Sequence, residues 1–180
     1  MQAVSSLQKI QDWLQQLIIK EHIQLKQPQE DDQTDRYTLV APAVHIGYIP
    51  PKGELYPQGG IRIPCLVVGT AEVSSDEDNT IMDLQITAVV WDPGIQSTTG
   101  VNAPMQLSAN FSGYVTLLNL LDRVKLWIRR EDGIAGRFQL ESPVKLKTYE
   151  EQPWPYWYGY LTCTVSGIPD PETRYADALN

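Results

Sequence analysis

Cysteine and histidine are scarce in this 180-residue chain, with two of each, and this scarcity excludes several kinds of site. Cys65 and Cys163 both fall inside apolar strand patterns, so we expect two reduced, buried thiols. A nucleophilic cysteine needs a base, and the only histidines are His22, at the end of a helix pattern, and His45, in an apolar strand pattern. No Cys/His spacing is typical of zinc binding, so we expect no metal site.

Positive charge is also in short supply. The chain carries 14 Lys and Arg residues against 22 Asp and Glu residues, which gives a net charge of −8. Surfaces that bind nucleic acids or anionic membranes need a basic footprint, so this balance argues against both. It is compatible with a protein that DNA passes without being bound.

Long apolar runs are missing from the sequence. No run is long enough to span a membrane, and we expect no membrane partner. The N-terminal stretch MQAVSSLQKIQDWLQQLIIKEH lacks a basic region followed by an apolar block. We therefore expect no signal peptide, and a location in the cytoplasm of the cell that makes the protein.

Enzyme motifs are missing as well. The chain has no Walker phosphate-binding loop, no GxGxxG, no GxSxG and no HExxH. The acidic segment 75–79 lacks the ligand pattern of a calcium-binding EF-hand, which favours a solvated turn. We therefore expect no enzymatic activity, no catalytic residue and no cofactor.

Two stretches do carry apolar residues at helical spacing. The first, over residues 3–23, has a stripe of Leu7, Ile10, Leu14, Leu17 and Ile18. The second, over residues 113–131, has a stripe of Tyr114, Leu117, Leu118, Leu121, Val124 and Ile128. Its last turns collect Arg123, Lys125, Arg129 and Arg130, where positive charge suits the helix dipole.

Strand patterns fill most of the remaining chain. They cover 36–49, as a strand pair or one bent strand broken at Pro42, and also 61–74, 80–92, 136–149 and 152–167. A polar loop is expected over 27–35. Segments 61–74 and 80–92 predict one hairpin, and 136–149 with 152–167 predict another. This order predicts an α+β fold, with two amphipathic helices packed on one face of a mostly antiparallel β-sheet and a polar opposite face. We expect a single domain over 1–167 and an extended tail over 168–180.

The stretch QPWPYWYGYLTCTVSG, residues 152–167, is the most aromatic part of the chain. Side chains of a strand alternate between faces, so Trp157, Leu161 and Cys163 are expected in the core. Tyr156, Tyr158 and Tyr160 then lie on the other face, open to solvent or to a partner. An ordinary half-buried strand without a special role explains the same pattern.

The chain resembles the tail terminator, or tail-to-head joining, proteins of tailed bacteriophages. The stretches that carry the resemblance are IRIPCLVVGTAEV, MDLQITAVVWDPG, GYVTLLNLLDRVKLWI and GRFQLESPVKLKTYEEQPWPYWYGYLTCTV. They are similar to proteins of phage and prophage tail modules of Gram-positive hosts, over about residues 4–167. The segments 50–64 and 93–113 are longer than in the compact members of the family.

The resemblance implies a structural protein of the virion tail or neck, assembled in the host cytoplasm. Members of the family form a ring, commonly a hexamer, on the last ring of tail-tube subunits. The ring ends tube growth and presents a surface to the head-tail connector protein. DNA passes through its lumen without specific binding.

Two groups of residues are expected at the contacts of such a ring. The subunit interface is expected to include Trp154, Tyr156, Tyr158, Tyr160, Arg174 and Tyr175. The loops that contact the tail tube or the connector are expected to include Lys52, Glu54, Tyr56, Gln96, Asn102 and Gln106.

Two other functions fit the same sequence. The protein could be a head-completion or neck connector protein, or a baseplate component, of the same virion. Alternatively, it could be a carbohydrate-binding module that stacks sugars on the aromatic strand over 154–160.

Overall fold

The computed structural model describes residues 2–29, 36–49, 62–75, 79–94, 111–130 and 133–167. The helices are α1 (Gln2–Lys20) and α2 (Ser112–Ile128). The strands are β1 (Leu25–Pro28), β2 (Tyr37–Val40), β3 (Ala43–Ile46), β4 (Cys65–Ser75), β5 (Thr80–Trp91), β6 (Phe138–Leu140), β7 (Lys145–Thr148) and β8 (Tyr156–Gly167).

The main sheet contains six strands, in the order β3-β4-β5-β8-β6, and β7 also pairs with β8. All of its pairs are antiparallel except β3 with β4, which run parallel. The predicted hairpin of β4 with β5 is confirmed, and so is the antiparallel pairing of β7 with β8. β1 and β2 form a separate two-stranded antiparallel sheet.

Both helices pack on the same face of the main sheet and share one apolar core with it. Ile10 and Leu14 of α1 and Leu121 of α2 are completely buried there. α2 approaches β8 closely because Gly159 has no side chain: a Cβ at that position would lie 2.8 Å from a methyl group of Leu121. The predicted α+β fold, with two amphipathic helices on one face of a mostly antiparallel sheet, is confirmed.

α1 ends three residues before the predicted boundary, in a Schellman motif. His22 adopts the left-handed conformation with φ of 53°, a place more often taken by glycine. Its N–H donates to the carbonyl of Ile19 at 3.1 Å, and the N–H of Ile23 donates to the carbonyl of Ile18 at 3.0 Å. The histidine at the helix end therefore has a structural role, as the left-handed residue that follows the C-cap.

Two predicted elements were wrong in detail. Residues 136–149 form two strands rather than one, because Pro143 has no N–H to give to a ladder. The chain is held to β8 at this break by Ser142, whose hydroxyl accepts a hydrogen bond from the N–H of Thr164 at 2.7 Å. The polar loop expected over 27–35 begins too early, since β1 extends to Pro28 and pairs with β2 in spite of its polar side chains.

Candidate subunit interface

The aromatic side chains lie along β8, which is flanked by β5 on one side and by β6 and β7 on the other. The predicted alternation is confirmed. Trp157, Leu161 and Cys163 are buried in the core beneath the helices. The tyrosines point to the opposite face, which we call the outer face of the sheet.

The outer face carries a group of tyrosine rings. The Tyr149 ring lies 5.2 Å from the Tyr160 ring and 6.3 Å from the Tyr158 ring, measured between centroids. The second pair meets edge to face, an arrangement that the aromatic quadrupole favours. Tyr149 keeps 39% of its surface exposed and Tyr160 is half-buried.

Two lysines border these rings. In the register of β7 with β8, Lys147 is opposite Tyr160 and Lys145 is opposite Thr162. Both lysines are exposed, and neither makes an ion pair with the residues that the structure describes. We call the group of Lys145, Lys147, Tyr149 and Tyr160 the tyrosine surface.

Gln152 holds the tyrosine surface in place. Its side-chain oxygen accepts the N–H of Tyr158 at 2.7 Å. Its side-chain nitrogen donates to the carbonyls of Tyr149 and Tyr158, both at 2.8 Å. The three bonds connect the end of β7 to the start of β8 through one side chain. No periodic pattern points to this residue, so sequence analysis missed it.

Trp154 lies in the turn between β7 and β8, with 46% of its surface exposed. Asp92 anchors the end of this turn: its N–H donates to the carbonyl of Pro155 at 3.0 Å, and its own carbonyl accepts the indole N–H of Trp157 at 3.1 Å. The Asp92 carboxylate also forms a 2.8 Å ion pair with Lys26. The turn that presents Trp154 is therefore fixed to β1 and β5.

The structure corrects the place of Tyr158. Only 7% of its surface is exposed, and it belongs to a second apolar cluster with Ile63, Cys65, Val67, Val89 and Trp91. Burial raises the pKa of its hydroxyl, which makes no hydrogen bond within the described residues. Tyr158 is therefore not available to a partner at this surface. Tyr156 is half-buried and packs against the same cluster.

The outer face is thus only partly polar, contrary to expectation. At one end, Val89 and Trp91 of β5 and Cys65 and Val67 of β4 supply the second apolar cluster. At the other end, the hydroxyl of Thr164 donates to the carboxylate of Asp83 at 2.9 Å. The tyrosine surface lies between these two ends of the outer face.

The groups with intrinsic reactivity lie apart from one another. The thiols are free and buried, as expected, with Cys65 on the outer face and Cys163 beneath the helices. Burial raises the pKa of Cys65 to about 12 and that of Cys163 to about 11, which keeps both in the unreactive thiol form. In the described parts of the chain, no group of three or more His, Cys, Asp or Glu residues is placed to hold a metal ion.

Several expected contact residues lie outside the described residues. They are Lys52, Glu54, Tyr56, Gln96, Asn102, Gln106, Arg174 and Tyr175. The tail over 168–180 also lies outside them. Of the expected interface residues, Tyr160 contacts Tyr149, which sequence analysis did not predict at the interface, and Trp154 lies in the adjoining turn.

Comparisons with known proteins give no relative: no family model, no curated protein and no solved structure matches the chain. Neither helix described here has the combination of length and apolar character needed to span a membrane.

Proposed function

We propose that the protein is a structural subunit of a bacteriophage tail, a tail terminator that forms a ring, commonly a hexamer, on the end of the tail tube. The ring ends tube polymerisation and offers a surface to the head-tail connector protein, while DNA passes through its lumen. The proposal rests on the resemblance of the chain to that family. The tyrosine surface, with its partly exposed rings and exposed lysines on the face opposite the helices, is the structural observation that supports it most.

The composition of the tyrosine surface suits a contact between protein subunits. Tyrosine and tryptophan are enriched in such contacts because they bury a large apolar area and keep a polar atom for hydrogen bonding. A closed ring joins two different patches on neighbouring subunits. The chain carries 22 acidic and 14 basic residues, so a second copy offers carboxylates with which Lys145 and Lys147 can pair.

The first test is the mass of the purified protein in solution, by light scattering, alone and with purified tail tubes. We expect a closed ring, or a ring that forms only at tube ends. A monomer that does not bind to the tubes would contradict a role in tail termination. Binding to connector complexes but not to tubes would favour the neck connector alternative.

The second test asks whether the tyrosine surface joins the subunits. We expect Tyr149→Ala/Tyr160→Ala to raise the protein concentration needed for ring formation by at least about tenfold, the effect of losing a modest interface hot spot. The matched control is Tyr37→Ala/Tyr48→Ala, which removes two exposed tyrosines elsewhere in the fold. Tyr158 is left intact, because its truncation would leave a cavity beside Trp91.

The carbohydrate-binding alternative uses neighbouring aromatic residues, since Trp154 and Tyr149 keep 46% and 39% of their surface exposed and aromatic rings stack on sugars. Titration with host cell-wall polysaccharide separates the two functions. Quenching of tryptophan fluorescence that disappears in Trp154→Ala would favour sugar binding. An unchanged spectrum alongside ring assembly would favour the tail protein.

A further inference from the structure

An open groove runs between the end of α2 and the chain segment that joins β6 to β7. It consists of two adjoining depressions, of about 230 and 510 Å³, and Arg129 and Leu140 line both of them. Leu140, Pro143 and Val144 line the groove with apolar side chains. Lys125 of α2 and Arg129, which directly follows the helix, line it with positive charge.

The charges around this groove are unequal. Four of the 14 basic residues lie within 123–130, at the end of α2. Arg123 and Arg130 share the carboxylate of Glu21, which follows α1, at 3.1 and 2.8 Å. Lys125 and Arg129 make no ion pair within the described residues. Glu141, the one acidic residue of the lining, accepts a hydrogen bond from Ser166.

The chain leaves the described fold next to this groove. β8 ends at Gly167, which pairs with Phe138 at the start of β6. Gln139 and Leu140, the next two residues of β6, line the smaller depression. The sequence that follows Gly167 is IPDPET, residues 168–173, with two carboxylates and no basic residue.

We propose that residues 168–173 bind in the groove of their own chain, with Asp170 and Glu172 paired to Lys125 and Arg129. The spacing of Asp170 and Glu172 matches the spacing of Lys125 and Arg129. Two residues of an extended, proline-rich chain span about 6 Å, and positions i and i+4 of a helix lie about 6 Å apart. Pro169 and Pro171 restrict the residues around them to extended conformations, which lowers the entropy lost on binding.

Proximity favours the segment of the same chain over that of a second copy. Six residues reach about 20 Å from Gly167, while the groove begins one strand position away from it. A short tether of this kind gives an effective concentration in the millimolar range. The proposal concerns each chain by itself, so it does not depend on ring formation. It leaves Arg174 and Tyr175, which follow the bound segment, free to contact a neighbouring subunit.

The experiment is thiol cross-linking in the full chain. Thr173→Cys and Pro143→Cys place one reactive thiol in the segment and one in the groove, while Cys65 and Cys163 stay buried. A short bismaleimide is added to a mixture of natural and ¹⁵N-labelled protein. Mass spectrometry of the digest then separates links within one chain from links between two chains.

We expect links within one chain. In the Lys125→Glu/Arg129→Glu background their yield should fall about fivefold, the change expected for the loss of two exposed ion pairs. Adding Asp170→Lys/Glu172→Lys to that background should restore the yield, because the pairs then re-form with exchanged signs. Arg36→Glu/Arg62→Glu, an equal charge change at two other exposed positions, should leave the yield unchanged.

Three results would overturn the proposal. They are the absence of the link in the parent, a yield that does not respond to the reversal of Lys125 and Arg129, and links mainly between labelled and unlabelled chains. The last result would place the segment on a second copy. Because the cross-link is read without tail tubes, failure here leaves the proposed function to its own tests.

Discussion

At the scale of single residues, the side-chain amide of Gln152 holds the turn between β7 and β8 in place. It satisfies one N–H and two carbonyls of the chain around Tyr149 and Tyr158. Unpaired polar groups in a partly buried place lose hydration without compensation. The tyrosine surface therefore depends on a residue that is not part of it.

Replacing Gln152 should show this dependence. We expect Gln152→Ala to lower the free energy of unfolding by about 1–3 kcal/mol, because the N–H of Tyr158 and the carbonyl of Tyr149 lose their partner, while the carbonyl of Tyr158 keeps the N–H of Tyr149. Gln152→Glu should also destabilise the fold, since a carboxylate can still accept the N–H of Tyr158 but cannot donate to the carbonyls of Tyr149 and Tyr158. Urea denaturation measures both. Gln16→Ala on the exposed side of α1 is the control, and equal effects at the two positions would contradict the role of Gln152.

Single residues also mark the limit of what sequence analysis could show about the interface. The alternation of β8 predicted which side chains share a face, and this prediction is confirmed. It could not predict that Tyr158 is buried, because burial depends on Val67, Val89 and Trp91 in neighbouring strands. Gln152 and Asp92 gave no signal, since their contacts arise only when distant segments meet.

At the scale of elements, Glu21 joins the ends of the two helices. It accepts hydrogen bonds from the indole N–H of Trp127 at 2.9 Å and from Arg123 and Arg130. Partial burial raises the pKa of its carboxyl, but the hydrogen bonds of Arg130 and Trp127 and the charges of Arg130 and Arg123 together lower it below the usual value. The ionised form is therefore favoured in the folded protein.

The lowered pKa of Glu21 predicts a pH-dependent effect. Its stabilising contribution is present above the unfolded-state pKa and is lost as the pH falls through the folded-state pKa. We expect Glu21→Gln to be less stable than the parent by about 1 kcal/mol at neutral pH. The difference should shrink between about pH 5 and pH 3. Thermal unfolding of both proteins across this range is the measurement. A difference that does not change with pH would contradict the prediction, and Glu72→Gln, at an exposed position of β4, is the control.

The edge strand β3 is held by glutamines of α1. The side-chain oxygen of Gln15 accepts the N–H of Val44 at 3.0 Å, and the side chain of Gln11 donates to the carbonyl of Val44 at 2.7 Å. These bonds occupy backbone groups that would otherwise be open to another strand. The helix thus covers this part of the sheet edge as well as the core.

Amide hydrogen exchange can test the contact of α1 with β3. We expect Gln15→Ala to speed exchange at Val44 by at least about tenfold, because the N–H loses an acceptor worth roughly 1 kcal/mol or more. Alanine favours helix, so α1 itself should not weaken. Gln16→Ala, on the same turn but exposed, should leave the Val44 amide unchanged. Unchanged exchange in Gln15→Ala would show that the edge is protected in another way.

Elements were predicted best where the pattern was long. α1, α2, β4, β5 and β8 all follow clear helical or alternating patterns, and the structure contains each of them. β1 is short and polar, so it showed no pattern, and its strand character comes from pairing with β2. The direction of β3 was not predictable, because four residues carry no information about whether they pair parallel or antiparallel.

At the scale of the whole molecule, the sheet separates the two thiols. Cys65 faces outward into the second apolar cluster, while Cys163 faces the helices. They cannot form a disulfide with each other without disrupting the sheet. The pKa of each thiol is raised by burial, to about 12 and about 11, and only the thiolate reacts quickly.

We therefore expect the folded protein to resist thiol reagents. A disulfide reagent at neutral pH should react with both thiols at least about 100-fold more slowly in buffer than in urea, where the pKa values return to normal. Reductant should leave the melting temperature unchanged. Gln16→Cys adds an exposed thiol as an internal standard for the reagent. Rapid reaction of Cys65 or Cys163 in buffer would contradict their burial.

The parallel pairing of β3 with β4 sets a requirement on the length of the chain between them. Neighbouring parallel strands begin at the same end, so the chain must travel back along the sheet, which takes about a dozen residues. β3 ends at Ile46 and β4 begins at Cys65, so residues 47–64 are available for this return. If the connection were shortened to the size of a hairpin turn, β3 could no longer pair with β4. Lengthening it would destabilise the fold only slightly, because the entropy of loop closure grows slowly with loop size. The length of the Pro- and Gly-rich stretch thus follows from topology, whatever its side chains contact.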